Sequence, residues 1–149
     1  MIEKQLKVNG YDIDVIGIVS NIVYVRWFED LRLQFLDTFF PFEDMFARNQ
    51  SPILSRTEVE YRYPLTIYDR PVGRVWVERL ERARWHVAFE IESQGKLHCF
   101  GKQSGYFYDI KRKRPIAIPE ELKRQYEEAL ADLTRRERDS GGNEGKGAV

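Results

Sequence analysis

The sequence predicts an α+β fold: one curved antiparallel sheet wrapped around a long central helix, with a second helix near the C-terminus. Three observations lead there. Between Ile22 and Thr38 apolar residues recur with helical spacing and cover most of the circumference. From Leu54 to Ile110 the spacing changes to two, in four segments separated by turn residues. A helix that is apolar nearly all round needs cover on more than one side, and a single sheet supplies it by curling.

The totals agree with one domain over residues 1–138. A chain of 149 residues with 42% hydrophobic and 13% aromatic content can bury a core. The 24 basic and 24 acidic residues cancel, which argues against a nucleic-acid binder held by bulk charge, though a local basic patch for one phosphorylated ligand is compatible. The single cysteine, Cys99, leaves no intrachain disulfide and suits a reducing compartment. MIEKQLKVNG lacks the apolar stretch of a signal peptide, and no run approaches the roughly 20 residues of a membrane span. The expectation is a soluble cytoplasmic protein with no membrane contact.

Taken in order, residues 3–13 read as a strand through Leu6, Val8, Tyr11 and Ile13, with a turn or bulge at Asn9-Gly10. A loop over Asp14–Asn21 leads into the helix from Ile22 to Thr38, about 25 Å long at 1.5 Å per residue. Tyr24, Phe28, Leu31, Phe35 and Phe39 share one face, and Val25, Trp27, Leu33, Leu36 and Phe40 widen it. Pro41 closes this helix, and Phe42–Arg48 suits another short turn of helix.

After a break at 49–52 come the four strands. In Leu54–Tyr63, Thr57, Val59, Tyr61 and Tyr63 oppose Arg56, Glu58, Glu60 and Arg62. Val72–Leu80 follows, then Arg84–Glu92 with Trp85, Val87, Phe89 and Ile91 on one face. Gln94-Gly95 forms a tight hairpin. Leu97–Ile110 is long, and Gly101 and Gly105 suggest bulges that bend it. Short connections favour a meander of all four. Lys111–Arg114 is a basic loop. Pro119 opens a helix with Leu122, Tyr126, Ala129, Leu130 and Leu133 as its apolar stripe. From Asp139 the composition turns to Gly, Ser and charge, and residues 139–149 read as a disordered tail. The helix in its curled sheet describes a hotdog architecture.

The segment Asp12–Arg32 carries the candidate chemistry. An acidic residue in a loop before a helix N-terminus sets a carboxylate beside unpaired backbone N–H donors. Attack on a carbonyl and stabilisation of the resulting oxyanion need those two parts. The same residues also suit a plain structural role, with Asp12 and Asp14 forming turns and Ser20 or Asn21 capping the helix.

The segment resembles the 4-hydroxybenzoyl-CoA thioesterase family of hotdog-fold acyl-CoA thioesterases. The family's pattern, D-x-D-x-x-G-x-V, then N or Y, then Y-x-x-(W/Y/F)-(F/L)-E, is met here by Asp12, Asp14, Gly17, Val19, Asn21, Tyr24, Trp27, Phe28 and Glu29. EVEYRYPLTIYD (Glu58–Asp69) and YDIKRKRPIAIPEEL (Tyr108–Leu122) resemble its later segments, so the likeness spans about residues 3–130. It implies hydrolysis of an acyl-CoA, with coenzyme A as part of the substrate and no separate cofactor. Asp14 corresponds to the catalytic carboxylate, as general base or nucleophile. The backbone N–H of Asn21 corresponds to the oxyanion donor, and Gly17, Ser20 and Tyr24 fall among the substrate-binding positions. The resemblance also implies a homodimer or homotetramer joined at sheet edges. Many members carry His where this chain has Ile18 and Asn where it has Ser20; Glu29 is a second-choice base.

Arg82, Arg84 and Lys111–Arg114 are candidates to hold the phosphates of coenzyme A, and equally suit solvated turns. His86, His98 and Cys99 lack metal-ligand spacing, so no metal is expected; Cys99 suits the core, and the histidines the polar faces of their strands. Ser93 and Ser104 have no matching His–Asp pattern, and no GxGxxG or phosphate loop occurs. Two other classes fit the same fold: a non-catalytic binder of acyl-CoA or an aromatic ligand, and a pure dimerisation module.

Overall fold

Helix α1 (Asn21–Phe39) lies in the concave face of an antiparallel sheet in the computed structural model, which describes residues 1–141. The strands are β1 (Ile2–Gln5), β2 (Gln50–Tyr61), β3 (Val72–Leu80), β4 (Arg84–Ser93), β5 (Lys96–Asp109) and β6 (Arg114–Ile116). A short helix α2 (Phe42–Ala47) follows α1, and α3 (Glu120–Gly141) closes the described chain. The strand order is β1-β3-β4-β5-β2, with β6 also paired to β5.

The helix seats on the sheet through named contacts along its length. Tyr24 meets Tyr61 of β2 edge-on at 5.3 Å between centroids. Phe28 is fully buried and stacks on Phe89 of β4 at 4.6 Å. A Cβ at Gly101 of β5 would collide with the Phe28 ring, so the bare backbone there is what lets the helix come this close. The Arg32 guanidinium lies 5.6 Å over Trp85, and Phe40 meets Phe107 at 5.8 Å. The N-terminal end of α1 therefore lies over Tyr61, and its C-terminal end over Phe107.

Several expectations need correction. The first strand stops at Gln5. Residues Gly10–Asp12 make a 3₁₀ turn that leaves Tyr11 exposed, and Ile13 instead bridges Val19. Asp12 drives this, because its buried carboxylate accepts the Asn9 N–H at 2.8 Å and folds the chain back. Leu33 is exposed, since it sits about 140° round the helix from Phe28 at 3.6 residues per turn. Strand β2 begins at Gln50, inside the expected break. It runs through Pro52 because it is an edge strand that pairs only with β5.

The four-strand meander also fails. Only β3, β4 and β5 are successive neighbours; β2 crosses to the far side of β5, and the connection of residues 62–71 is long enough to span the change. The register shifts leave Ser55 of β2, Glu78 of β3 and His98 of β5 as the extra residues, so the bulge within β5 falls at His98 and not at Gly101 or Gly105. Gly105 faces the first of them, where the Ile53 carbonyl and Trp85 leave no space for a side chain.

The described residues from Pro119 onward form a separate unit. There the Pro119 carbonyl accepts the Leu122 and Lys123 N–H groups, so Pro119 precedes the first turn of α3 instead of joining it. Asp139–Gly141 belong to α3, and the rest of the expected tail, residues 142–149, lies outside the described residues.

Candidate active site

A small hairpin delivers Asp14 to the surface beside the start of α1. Its rungs are the Asp14 N–H donating to the Ile18 carbonyl at 2.8 Å, the Ile13–Val19 bridge, and the Ser20 N–H donating to the Asp12 carbonyl at 2.8 Å. Gly17 closes the tip at φ +85°, where an L side chain is strained although space around it is open. The Asp14 side chain is exposed. Its Oδ1 accepts the N–H groups of Ile16 at 2.9 Å and Ile18 at 3.3 Å, while Oδ2 has no partner among the described residues. One oxygen thus braces the loop, and the other stays free of protein partners among the described residues.

Ser20 is the N-cap of α1 with extended backbone, and its hydroxyl makes no capping bond. The Val23 N–H donates to the Ser20 carbonyl at 3.0 Å. The N–H groups of Asn21 and Ile22 belong to the first turn, which helix geometry leaves without intrahelical acceptors. With the partial positive charge of the helix end, they form a donor pair suited to an oxyanion. Asp14 lies two hairpin steps beyond the Asp12–Ser20 rung, on the order of 7 Å at strand rise. Carboxylate and helix tip therefore share one end of the molecule. The exposed side chains of Val15, Ile16, Ile22, Tyr61, Tyr63 and Tyr68 belong to this end as well.

The helix tip is held by the connection between β2 and β3. The Leu65 carbonyl accepts the Val19 N–H at 2.9 Å, and the Tyr61 hydroxyl donates to the Asn21 carbonyl at 2.9 Å. Asp69 ties the connection down by accepting the Thr66 N–H at 2.8 Å, the Thr66 hydroxyl at 3.1 Å and the Ser93 hydroxyl at 2.7 Å. Burial works to raise the Asp69 carboxyl, but these three donors and the nearby His98 outweigh it and hold the group below the usual range. His98, expected on a polar face, is 9% exposed; its Nδ1 lies 3.2 Å from both the Tyr63 and Pro64 carbonyls, an arrangement that suits Nδ1–H as donor. Asp69, Ser93 and His98 were missed as positioning groups. The Thr66-to-Asp69 spacing, a side-chain turn signal, was the legible hint.

Of the other expected site residues, Tyr24 is a core residue at 2% exposure, packed between Trp27 and Tyr61. Burial pushes its hydroxyl up to about 12, against a lowering backbone bond from Leu65, and leaves no surface for a ligand. Arg82 and Arg84 lie at the wrong end for the Asp14 site of the same chain. The Arg82 carbonyl bonds to Ile118 and the Ala83 carbonyl to Phe107, under the C-terminal end of α1. From Val72 to Leu80 the sheet runs roughly 26 Å. Arg84 is also engaged, stacked 4.5 Å over the Tyr106 ring with a hydrogen bond to its hydroxyl. Arg82, Arg114 and Pro115 line a separate open pocket there. Burial pushes the Cys99 thiol up to about 12, so it is a core residue and a poor nucleophile. Among the described residues no group of three or more His, Cys, Asp or Glu side chains could hold a metal, and no helix is long and apolar enough to cross a membrane.

A family model described as "Thioesterase-like superfamily" matches residues 8–126. The long-chain acyl-CoA thioesterase FadM of Escherichia coli (strain K12) is 23% identical over 130 residues, covering 86% of this chain and 98% of that protein. The chloroplastic acyl-acyl carrier protein thioesterase ATL3 of Arabidopsis thaliana is 27% identical over 128 residues, covering 83% of this chain and 66% of that protein. Among solved structures, a Staphylococcus aureus protein in complex with CoA superposes with a TM-score of 0.80 at 15% identity, over 84% of this chain and 83% of that one.

Proposed function

The chain belongs to the thioesterase-like superfamily and is a thioester hydrolase, and from that premise we propose that it cleaves an acyl-CoA into a carboxylic acid and free CoA at the Asp14 hairpin. The observation that carries the reading is an exposed Asp14 in the hairpin that leads directly into the N-cap and first-turn N–H groups of α1. Asp14 acts as general base on water or as nucleophile on the thioester carbon. In the first case water's oxygen bonds to that carbon, the C–S bond breaks, and the sulfur leaves and takes up a proton. The Asn21 N–H holds the oxygen that becomes negative during the attack. Gly17 shapes the hairpin, and the Ser20 hydroxyl, free of capping duty, faces the substrate beside the helix tip. The names of the E. coli relative and of the CoA-bound S. aureus structure support an acyl-CoA as the thioester.

A second copy of the chain completes the surface. Strand β2 is a 12-residue edge strand, and unpaired edges of that length invite pairing. The exposed aromatic and apolar side chains beside it add a face suited to burial against a partner. The site thus lies at a homodimer interface, with a tetramer as a further assembly. The test is release of free thiol from a panel of short, long and aromatic acyl-CoAs. Turnover of at least one supports the reading. Tight binding of acyl-CoA without turnover of any would replace it with that of a ligand-binding protein.

A further inference from the structure

We propose that Gln103, with Thr57 and Arg32, forms a polar subsite for the acyl chain, so that the preferred substrate carries a hydroxyl or similar polar group away from the thioester. The inference rests on the thioesterase reading above and names its substrate class.

Gln103 is 2% exposed on the inner face of β5, between Gly101 under Phe28 and Gly105 beside Trp85. Its Nε2 donates to the Thr57 hydroxyl of β2 at 3.3 Å, and its Oε1 is buried without a partner. Rotating the amide only exchanges which end lacks a partner. Arg32 of α1 gives its terminal nitrogen to Glu29 at 2.6 Å, while its Nε is likewise buried and unpartnered. The guanidinium lies over Trp85, which pairs with Gly105, one inward-facing position along β5 from Gln103. An unpartnered acceptor on β5 and an unpartnered donor on α1 are therefore both buried where the helix meets the sheet. A buried polar group without a partner is destabilising, so a fold that keeps both points to a ligand that meets them. A hydroxyl, donor and acceptor at once, matches the pair.

The route to this pair runs from the helix tip. Helix α1 packs most closely over β1 and β3, and the inner side chains of β2 stay half-buried or exposed, at Thr57, Val59 and Tyr61. Tyr61 touches Asn21 at the helix start, and Thr57 lies four residues along the same strand, roughly 13 Å away. An acyl chain of medium length laid along β2, with its carbonyl at the Asn21 N–H, brings its far end to Gln103.

The test compares ω-hydroxydecanoyl-CoA with decanoyl-CoA, by kcat/KM, in the wild type and in Gln103→Leu. The wild type should favour the hydroxylated chain by roughly 10-fold or more, and the ratio should fall toward unity in the variant, because a hydrogen-bonding site discriminates through its own unpaired groups. Thr57→Val should lower the ratio in the same direction, and it replaces Gln103→Leu if that protein does not fold. Equal or inverted preference in the wild type, or a ratio unmoved in the variants, overturns the proposal. If neither thioester is hydrolysed, the wider acyl-CoA panel decides the thioesterase reading, and calorimetry with the two free acids decides the subsite separately. Tighter binding of the hydroxy acid, lost in the variant, supports it, and indifference overturns it.

Discussion

The closeness of α1 to the sheet at Gly101 gives the most demanding prediction. In Gly101→Ala the new Cβ overlaps the Phe28 ring. Phe28 has no room to yield, since it is wholly buried and stacked on Phe89. Overpacking of this kind costs about 1–3 kcal/mol, and a rigid ring as the obstacle puts it near 3. Loss of backbone freedom in the unfolded chain returns about 0.4–1 kcal/mol. The net is about 2 kcal/mol, or roughly 4–8 °C in Tm for a chain of this size. Phe28→Leu alone destabilises through the volume it vacates, yet it opens the space the methyl needs. Urea denaturation of both single variants and the double variant should therefore show a coupling of about 1–2 kcal/mol in favour of the pair. Because Phe28 lies two turns beyond Asn21, the Gly101→Ala protein should also lose turnover as the helix tip shifts. A neutral Gly101→Ala, or energies that add within about 0.5 kcal/mol, would refute the packing argument.

Other outcomes follow from the hairpin, the connection and the edge. Gly17→Ala forces a side chain into φ +85° and should cost about 1 kcal/mol while lowering kcat more than it raises KM. Asp69→Asn should destabilise by about 1–2 kcal/mol, a modest figure because the carboxylate is only partly buried. The Asp69 carboxyl is held below its ordinary value of 3.8, so its contribution is complete above that value and fades as pH falls through the lower folded one. Denaturation midpoints of wild type and variant should therefore differ steadily near neutrality and converge in strong acid; a gap that widens on acidification contradicts this. Sedimentation velocity should give at least twice the 17.7 kDa of one chain, and a monomer at micromolar concentration removes the shared interface.

The helix and the strands from Val72 onward were legible because their periods are unmistakable: Tyr24, Phe28 and Leu31 recur on a helical face, and Trp85, Val87, Phe89 and Ile91 alternate. Strand order was not, because β2 finds its place through β5, a long-range pairing that local pattern does not encode. The glycines of β5 show the same gap: sequence marks them as unusual, and only packing tells that Gly101 serves Phe28. At the site, Asp14, Gly17 and the helix start were readable as a loop before a cap. The separation of Arg82 and Arg84 from that loop depends on sheet length and direction, which local spacing does not convey. Gln103 left one faint sign, a polar residue on the inward side of an alternating strand.

Hydrolysis is proposed to depend on the Asp14 carboxylate beside the tip of α1. Asp14→Asn keeps the size and the acceptor oxygen that braces Ile16 and Ile18, so the hairpin should stand and circular dichroism and Tm should stay near wild type. Steady-state turnover of the best acyl-CoA should then fall by roughly 10²–10⁴, the span expected for a positioned base. Undiminished kcat in a folded Asp14→Asn protein would show that this carboxylate is not the catalytic group.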